Sequence, residues 1–519
     1  MRASIGRILA SGPTNIAVDN FAERLDRISR SVCDRFNKGA PSNARDRARR
    51  WLVVRGYNSA QESQAFTNLL RRPSDGDKAA PEREWSSKSP WKFRLSAAFW
   101  VLVCLDSQAT KNIYRLHPDD SRSLHELQRR LQKGAIYEKL CDVATGRITW
   151  ESYQAGGPLK DSSLNNLFLE LIHNTDILCT TPAMTTVGKA YPKFKNMRAE
   201  GVAIDEAGNM NRADLACVWG NTLIPCFLGG DARQLPPTVM TGKEKDGSGN
   251  FYHRLADDGK ISPLEFFQAS GMPVFRLHEQ LRMGVGLFDW VAAEVYPEVP
   301  FRYGSVCDIS LPKFAAGVAL EEYIAQKWPK IRQPQKGNFL PVFLHCQDSV
   351  VHVDEMTGSK SCPRQAEVAL EFATDFVVKK KGNSSRLVML TPYAANVELI
   401  TKMRRHPQYS ALSAMPPAST VDGFQGKEGD IVIVVMGTSA KSGPGFTCDP
   451  QRLNVMLTRH RCGLVIVGDI NVCGKVDAPG GGAKVKTINA EGEEVEFSAL
   501  FLKNIYGRLY KSGRVVFKP

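Results

Sequence analysis

The stretch Val202-Ala203-Ile204-Asp205-Glu206-Ala207 is an apolar run that breaks on two adjacent acids. A short run of unbroken apolarity fits a strand covered on both faces, as in a parallel sheet. In open α/β sheets ligands bind outside the carboxyl ends of the strands, where Asp205 and Glu206 fall. One acid suits Mg2+ held through water; the next suits orienting or deprotonating an attacking water. Standing alone, the pair reads more often as a solvated turn.

Its neighbours give it company. Ile224-Pro225-Cys226-Phe227-Leu228-Gly229-Gly230-Asp231 runs into Ala232-Arg233-Gln234-Leu235-Pro236-Pro237, a second strand ending in a polar turn. Gln234 there suits a terminal phosphate or the water attacking it; it also fits a Gly/Pro turn with a stray amide. Further on come Leu277-His278-Glu279-Gln280-Leu281-Arg282-Met283 and Arg452-Leu453-Asn454-Val455-Met456-Leu457-Thr458-Arg459. Guanidinium groups suit the charge spread over a transferring phosphoryl group, although an isolated arginine also fits plain surface. Thr420-Val421-Asp422-Gly423-Phe424-Gln425-Gly426-Lys427-Glu428-Gly429-Asp430 leads into the apolar run Ile431–Val435. Its glycines permit backbone approach to a ligand, or simply serve its turns.

Similar apolar runs predict strands at Arg7–Ala10, Ile177–Cys179, Val202–Ile204, Pro225–Leu228, Val274–Leu277, Val342–His345, Leu387–Leu390, Ile431–Val435 and Leu464–Val467. Helical patterns lie between them. Val18, Phe21, Leu25, Ile28 and Val32 predict one apolar helix face. Alternating strands and helices make an α/β layered architecture. The strands form two clusters, and residues 50–175 interrupt the first with helix-rich sequence that includes Trp85, Trp91 and Trp100. Ala97–Leu105 reads as a buried helix, Lys379-Lys380-Lys381 as a solvated helix end, and Gly480-Gly481-Gly482 as a linker. Phe501, Ile505 and Leu509 predict a short helix near the C-terminus.

The 519 residues are 43% apolar and 24% charged, which excludes a disordered or collagen-like chain. The net charge is +14, with 32 basic against 21 acidic side chains in the first 200 residues. A basic excess in one part points to a polyanion, nucleic acid first, or to a basic domain without that role. The 12 cysteines form no C-x-x-C pair, which argues against a disulfide framework or zinc site and for a reducing compartment. No signal peptide is evident, and no apolar run approaches the ~20 residues that span a bilayer, so no membrane partner is expected.

Taken in order, these segments resemble superfamily 1 helicases, of the branch that includes the nonsense-mediated-decay (up-frameshift) helicase. The resemblance covers roughly residues 7–475 and rests on the order and spacing of many motifs. Ser11-Gly12-Pro13-Thr14-Asn15-Ile16-Ala17-Val18-Asp19 resembles motif Ia and Cys179-Thr180-Thr181-Pro182 motif Ib. Asp205-Glu206-Ala207 matches motif II, Gly230-Asp231 with Gln234 motif III, and Gln280 with Arg282 motif IV. Thr420 to Glu428 matches motif V; Arg452, Asn454, Thr458 and Arg459 match motif VI.

The resemblance implies two RecA-like P-loop NTPase domains with parallel sheets, the first N-terminally truncated and carrying a helical insert. Their extents would be 1–268, with the insert at about 50–175, then 269–475, then a C-terminal tail at 476–519. ATP would sit between the domains and a single strand of RNA or DNA across both. Domain closure around ATP and opening after hydrolysis would drive translocation. By the same resemblance Asp205, Glu206, Gln234, Arg282 and Arg459 are catalytic, with Asp205 on Mg2+ and Arg459 on the γ-phosphate. Gln280, Gly426 and Glu428 would face the nucleotide. Pro13, Thr14, Asn15, Thr180, Thr181, Thr391, Pro392, Tyr393 and Thr420 would face the strand. Cytoplasm or nucleus is the expected location.

Leu281 stands where the family often has an aromatic, and Asn209 and Asn396 where it often has Gln. The larger departure is that G-x-x-x-x-G-K-[ST] occurs nowhere. Gly358-Ser359-Lys360-Ser361 comes nearest, in the second cluster and without the flanking glycines. The phosphate cradle needs a strand, the loop and a helix N-terminus, and in the family that unit precedes motif Ia. Only six residues precede the first expected strand. The chain is therefore expected to be a fragment of an ATP-dependent helicase whose phosphate loop lies upstream. As written it would bind ATP and Mg2+ poorly and lack ATPase activity, and the sheet would expose unpaired strand edges. The alternative is a non-catalytic pseudo-helicase that binds single strands.

Overall fold

A computed structural model of the chain describes residues 6–41, 44, 46–81, 90–220, 222–239, 244–476, 484–488 and 494–518. Trp85 and Gly480-Gly481-Gly482 lie outside them. The chain divides into two units, residues 1–232 with 236–272, and residues 233–235 with 273–519.

The first unit is built on a five-stranded sheet. Its strands are β1 (Ile8–Ser11), β2 (Val53–Arg55), β3 (Ile177–Cys179), β4 (Gly201–Ile204) and β5 (Cys226–Leu228), in the order β2-β3-β1-β4-β5. Every pairing is parallel, in register Ile8 with Ile177 and Gly201, and Val202 with Cys226. β2 falls inside the stretch 50–175, so that stretch supplies an edge strand as well as helices. Among the described residues β2 and β5 are the edges of this sheet; β5 pairs only with β4, and its Phe227 is exposed.

Helix α1 (Asn15–Phe36) packs Val18, Phe21 and Leu25 of the expected apolar face on the core but not its second half. Val18 is buried, but Ile28 and Val32 are 51% and 50% exposed. The inner face turns instead on Ala22, Asp26 and Cys33. Asp26 is paired there by Arg30 at 2.8 Å, and the Cys33 thiol and Asn37 amide donate to the Ala48 carbonyl. Hydrogen-bonded polar groups thus occupy positions that a hydropathy pattern assigns to solvent.

α2 (Ser59–Arg71) and the wholly buried α3 (Ala97–Cys104) form the core of the inserted helices. The first amides of a helix lack intrahelical partners. Here the buried Glu62 carboxylate accepts from the Ala97 and Ala98 amides at 3.3 and 3.0 Å. Burial pushes Glu62 up from 4.5 to about 7, opposed by those amides, Trp91 and Arg55. The folded value lies above the unfolded one, so the fold favours the protonated acid. Its contribution is complete below about pH 4.5 and falls as pH rises to about 7, by roughly 3 kcal/mol in all. Melting temperatures of Glu62→Gln and the parent chain, compared at pH 5 and pH 8, should show a weaker pH dependence in the variant. Equal dependence would remove Glu62 as its source.

The second unit has a six-stranded parallel sheet. Its order is Ser419–Thr420, Leu387–Thr391, Gly429–Val435, His460–Gly468, Val342–Cys346 and Val515–Lys518. The last strand, with the helix Leu500–Lys511, ties the C-terminal residues into this unit. Lys379 and Lys380 close the helix Pro363–Lys380, paired to Asp375 and Glu322. The strand expected at Val274–Leu277 does not form. Phe275 is 92% exposed, and a short strand appears instead at Glu279–Gln280 beside Arg302–Tyr303. Apolar residues make a strand only where a neighbour offers a ladder of hydrogen bonds, and among the described residues none runs along 274–277. No helix among the described residues is long and apolar enough to cross a membrane.

Candidate functional site

In the first unit the expected site residues sit at the carboxyl ends of β1, β3 and β4. Thr14 caps α1, its hydroxyl accepting from the Ala17 amide at 3.1 Å. Capping leaves the other first-turn amides of this 22-residue helix facing outward, where a phosphate oxygen is favoured. Thr14 is exposed; Pro13, Asn15 and Thr181 are partly so. Thr180 is buried, and its hydroxyl donates to the Gly56 carbonyl at 2.9 Å, so it shapes the loop from within.

Asp205 and Glu206 make the turn after β4. The Glu206 amide donates to the Asp205 carboxylate at 3.1 Å, and Glu206 takes a left-handed φ of +55°. A non-glycine residue held there stores backbone strain, as functional turns often do. Burial pushes Asp205 up, opposed by the Glu206 amide. The loop after β5 lies directly on this turn. A Cβ on Gly208 would stand 2.4 Å from the Asp231 carbonyl, and one on Gly230 2.8 Å from the Ala207 and Gly208 amides. Only glycine permits that approach.

Asp205 fits one water-mediated contact to Mg2+. Among the described residues, however, no group of three His, Cys, Asp or Glu side chains could hold a metal ion. Mg2+ is commonly held by one or two carboxylates together with waters and substrate phosphates, and Asp205 is the carboxylate here that would hold it.

The second unit sorts its candidates to opposite ends of the sheet. At the amino ends of Gly429–Val435 and His460–Gly468, the Arg282 Nε meets Glu428 at 2.9 Å and its Nη1 donates to the Thr458 carbonyl at 3.0 Å. The Gln280 side-chain Oε1 accepts from the Arg282 backbone amide at 2.8 Å. Gly426 lies partly exposed in the loop leading to Glu428. Arg459, 1% exposed, donates to the Val455 carbonyl and to Gln234, both at 3.0 Å. Asn454 donates to the Arg233 carbonyl and the Tyr296 hydroxyl. His460 is fully buried beside this group. Burial, then Arg282 and Arg459, push its pKa down to about 3, so the imidazole is neutral and adds no third cation.

At the carboxyl end, Thr391 pairs in register with Thr420. Leu390 is level with Val434, five residues along the strand from Gly429, so the two ends lie ~17 Å apart. Thr420 and Pro392 are partly exposed. Thr391 and Tyr393 are buried. The Thr391 hydroxyl accepts from Asn396, and the Tyr393 hydroxyl accepts from the Phe446 amide. Their side chains brace the loop, leaving the partly exposed Pro392 and Thr420 at this end to meet a strand. Two residues past Thr420, Asp422 takes a forked ion pair from Arg452 at 3.0 and 3.1 Å.

The sequence reading passed over Arg55. An arginine closing the apolar triplet Leu52-Val53-Val54 was its only signal, and its partners Asn15 and Asp19 lie some forty residues earlier.

Two families, each described as an AAA domain, match the chain over residues 2–242 and 260–471. The Drosophila melanogaster protein called Regulator of nonsense transcripts 1 homolog is 26% identical over 415 residues, 72% of this chain and 31% of that protein. The probable helicase MAGATAMA 3 of Arabidopsis thaliana is 27% identical over 431 residues, 76% of this chain and 46% of that one. The DNA polymerase alpha-associated DNA helicase A of Saccharomyces cerevisiae is 29% identical over 254 residues, 47% of this chain and 34% of that one. The matched stretches span less than half the length of these relatives.

Proposed function

The chain belongs to the superfamily 1 helicases of the up-frameshift-like branch, with two RecA-like units, and from that membership we propose that it grips single-stranded nucleic acid, RNA or DNA. The observation that carries this reading is the convergence of Pro13–Asn15 and Thr181 at the carboxyl end of the first sheet, beside the capped start of α1. Amides and small polar side chains there suit phosphate oxygens and read no base. Pro392 and Thr420 provide a second such edge on the other unit.

The nucleotide-handling residues are Glu206, Gln234, Gln280, Arg282, Glu428 and Arg459. Glu206 would orient water, and the arginines would meet transferring phosphate charge. In the second unit the segment Thr420–Glu428 runs from the strand end of the sheet to the nucleotide end, a covalent route by which one could sense the other. ATP with Mg2+, where held by these residues, would supply the phosphoryl group to be transferred. The 519-residue chain carries no Gly-Lys-Ser or Gly-Lys-Thr phosphate loop, so it is proposed to turn over little ATP by itself.

The test is fluorescence anisotropy of labelled single-stranded RNA and DNA with the purified chain, alongside a phosphate-release assay. Contact with three phosphates implies affinity falling about 20-fold between 50 and 200 mM salt, by counterion release. ATP with Mg2+ should leave that affinity unchanged. Absence of binding at 50 mM salt, or salt-independent binding, would overturn the strand reading. Strand-stimulated phosphate release would overturn the ATPase deficiency.

A further inference from the structure

We propose that Arg55 is a positioning residue for strand binding, which sets the orientation of the Asn15 amide so that its NH2 group faces the nucleic-acid backbone. The inference rests on the reading above, in which Pro13–Asn15 contacts the strand.

Arg55 ends β2 and is 2% exposed. A guanidinium buried this deeply persists only if its donors are met and its charge is paired. Nε donates to Asp19 Oδ1 at 2.7 Å, Nη1 to the Gly56 carbonyl at 2.7 Å, and Nη2 to Asn15 Oδ1 at 2.8 Å. The guanidinium lies 4.0 Å from the centre of the Tyr57 ring, whose hydroxyl donates to the same Asp19 oxygen at 3.1 Å. A planar fork can serve these three acceptors at once; an ammonium cannot.

The consequence falls on Asn15, the first residue of α1. An amide has an acceptor end and a donor end. Arg55 has only donors to offer, so the carbonyl oxygen of Asn15 must turn toward it; the flipped amide would set donor against donor. The Nδ2 group then points away from Arg55, and among the described residues it has no hydrogen-bond partner. Asn15 is partly exposed, beside the exposed Thr14. A phosphate oxygen is an acceptor and matches that donor.

Arg55 also reaches the second strand loop. The Gly56 carbonyl takes both Arg55 Nη1 and the Thr180 hydroxyl, and Ser11 Oγ donates to the Thr180 carbonyl at 2.7 Å. The loops after β1 and β3 are therefore tied to one carbonyl. Gly56 has no room for a side chain, since a Cβ would meet the Tyr191 ring at 2.6 Å.

The test is a double-mutant cycle of Arg55→Lys and Asn15→Ala, read by anisotropy with a labelled single-stranded oligonucleotide and by thermal melting. Each single variant should weaken binding about 10- to 100-fold, the size of one hydrogen bond to a charged group. The double variant should bind no more weakly than the poorer single one, because both remove the same contact. Losses that multiply, or undiminished binding by Arg55→Lys, would overturn the proposal. Should Arg55→Lys fail to fold, Asn15→Asp decides the matter. Its carboxylate keeps the bond to Arg55 and suits a helix start, yet has no NH2 group to donate. It should melt no lower than the parent and bind at least tenfold more weakly; parental affinity would overturn the proposal. If the parent chain binds no strand, the reading of Pro13–Asn15 fails first. If Asn15→Ala alone is silent while the parent binds, only the Arg55 assignment fails.

Discussion

Arg514→Ala is expected to destabilise the second unit by about 3–5 kcal/mol, the range for breaking a buried ion pair. Arg514 is fully buried. Its Nη2 meets both oxygens of Glu321 at 2.9 and 2.8 Å, and it donates as well to the Arg332, Leu340 and Pro341 carbonyls. Burial pushes the Glu321 carboxyl up, opposed by Arg514, and pushes the Arg514 guanidinium down, opposed by Glu321. Removing the guanidinium strands the acid in an apolar setting and leaves the three carbonyls short of a donor. The residue also opens the strand Val515–Lys518, since the Phe343 amide donates to the Arg514 carbonyl at 2.9 Å. Hydrogen exchange of the Val342–Cys346 amides under native conditions reads the loss in this unit alone. Arg514→Met with Glu321→Met should recover much of it, because the desolvation cost disappears with the charges. A loss below about 1 kcal/mol would place the pair among exposed ion pairs in its effect.

Trp100→Ala should cost the first unit about 3–5 kcal/mol, the usual range for truncating a buried aromatic. The indole stands edge-on to Phe99 and Tyr114, at 5.1 and 5.6 Å between ring centres. Its N–H donates to the Val53 carbonyl at 2.9 Å. That carbonyl is in β2, two residues before Arg55, so the inserted helices brace the strand that carries the guanidinium. Trp100→Phe should restore part of the packing without the hydrogen bond. Denaturation followed by the exchange of Val53–Arg55 amides reads both variants; equal losses in the two would mean that ring packing contributes nothing, and a Trp100→Phe variant as stable as the parent would mean that the hydrogen bond contributes nothing.

Parts of this were legible in the sequence for local reasons. Unbroken apolar runs mark strands covered on both faces, and the five- and six-stranded sheets proved parallel. Ala97–Leu105 has no polar side to show solvent until its end, and α3 is buried throughout. Val274–Leu277 looked the same and is exposed, because apolarity does not supply a neighbouring strand. α1 packs Val18, Phe21 and Leu25 on the core as expected, but Ile28 and Val32 are exposed, because the second half of the helix turns in Asp26 and Cys33, held by hydrogen bonds that hydropathy does not record. Thr180, Thr391 and Tyr393 stand at the expected strand ends, yet their side chains turn inward.

From its sequence alone this protein is a parallel α/β chain with the ordered motifs of a superfamily 1 helicase, because strand burial and motif spacing are written in residues close together along the chain. The tertiary structure decided the rest. It buried Arg55 against Asn15 and Asp19, set Arg459 on Gln234, and sent the candidates of the second unit to opposite ends of one sheet. Those pairings join residues up to 225 positions apart, and a hydrogen bond over such a separation exists only once the fold has brought donor and acceptor together and removed water from both.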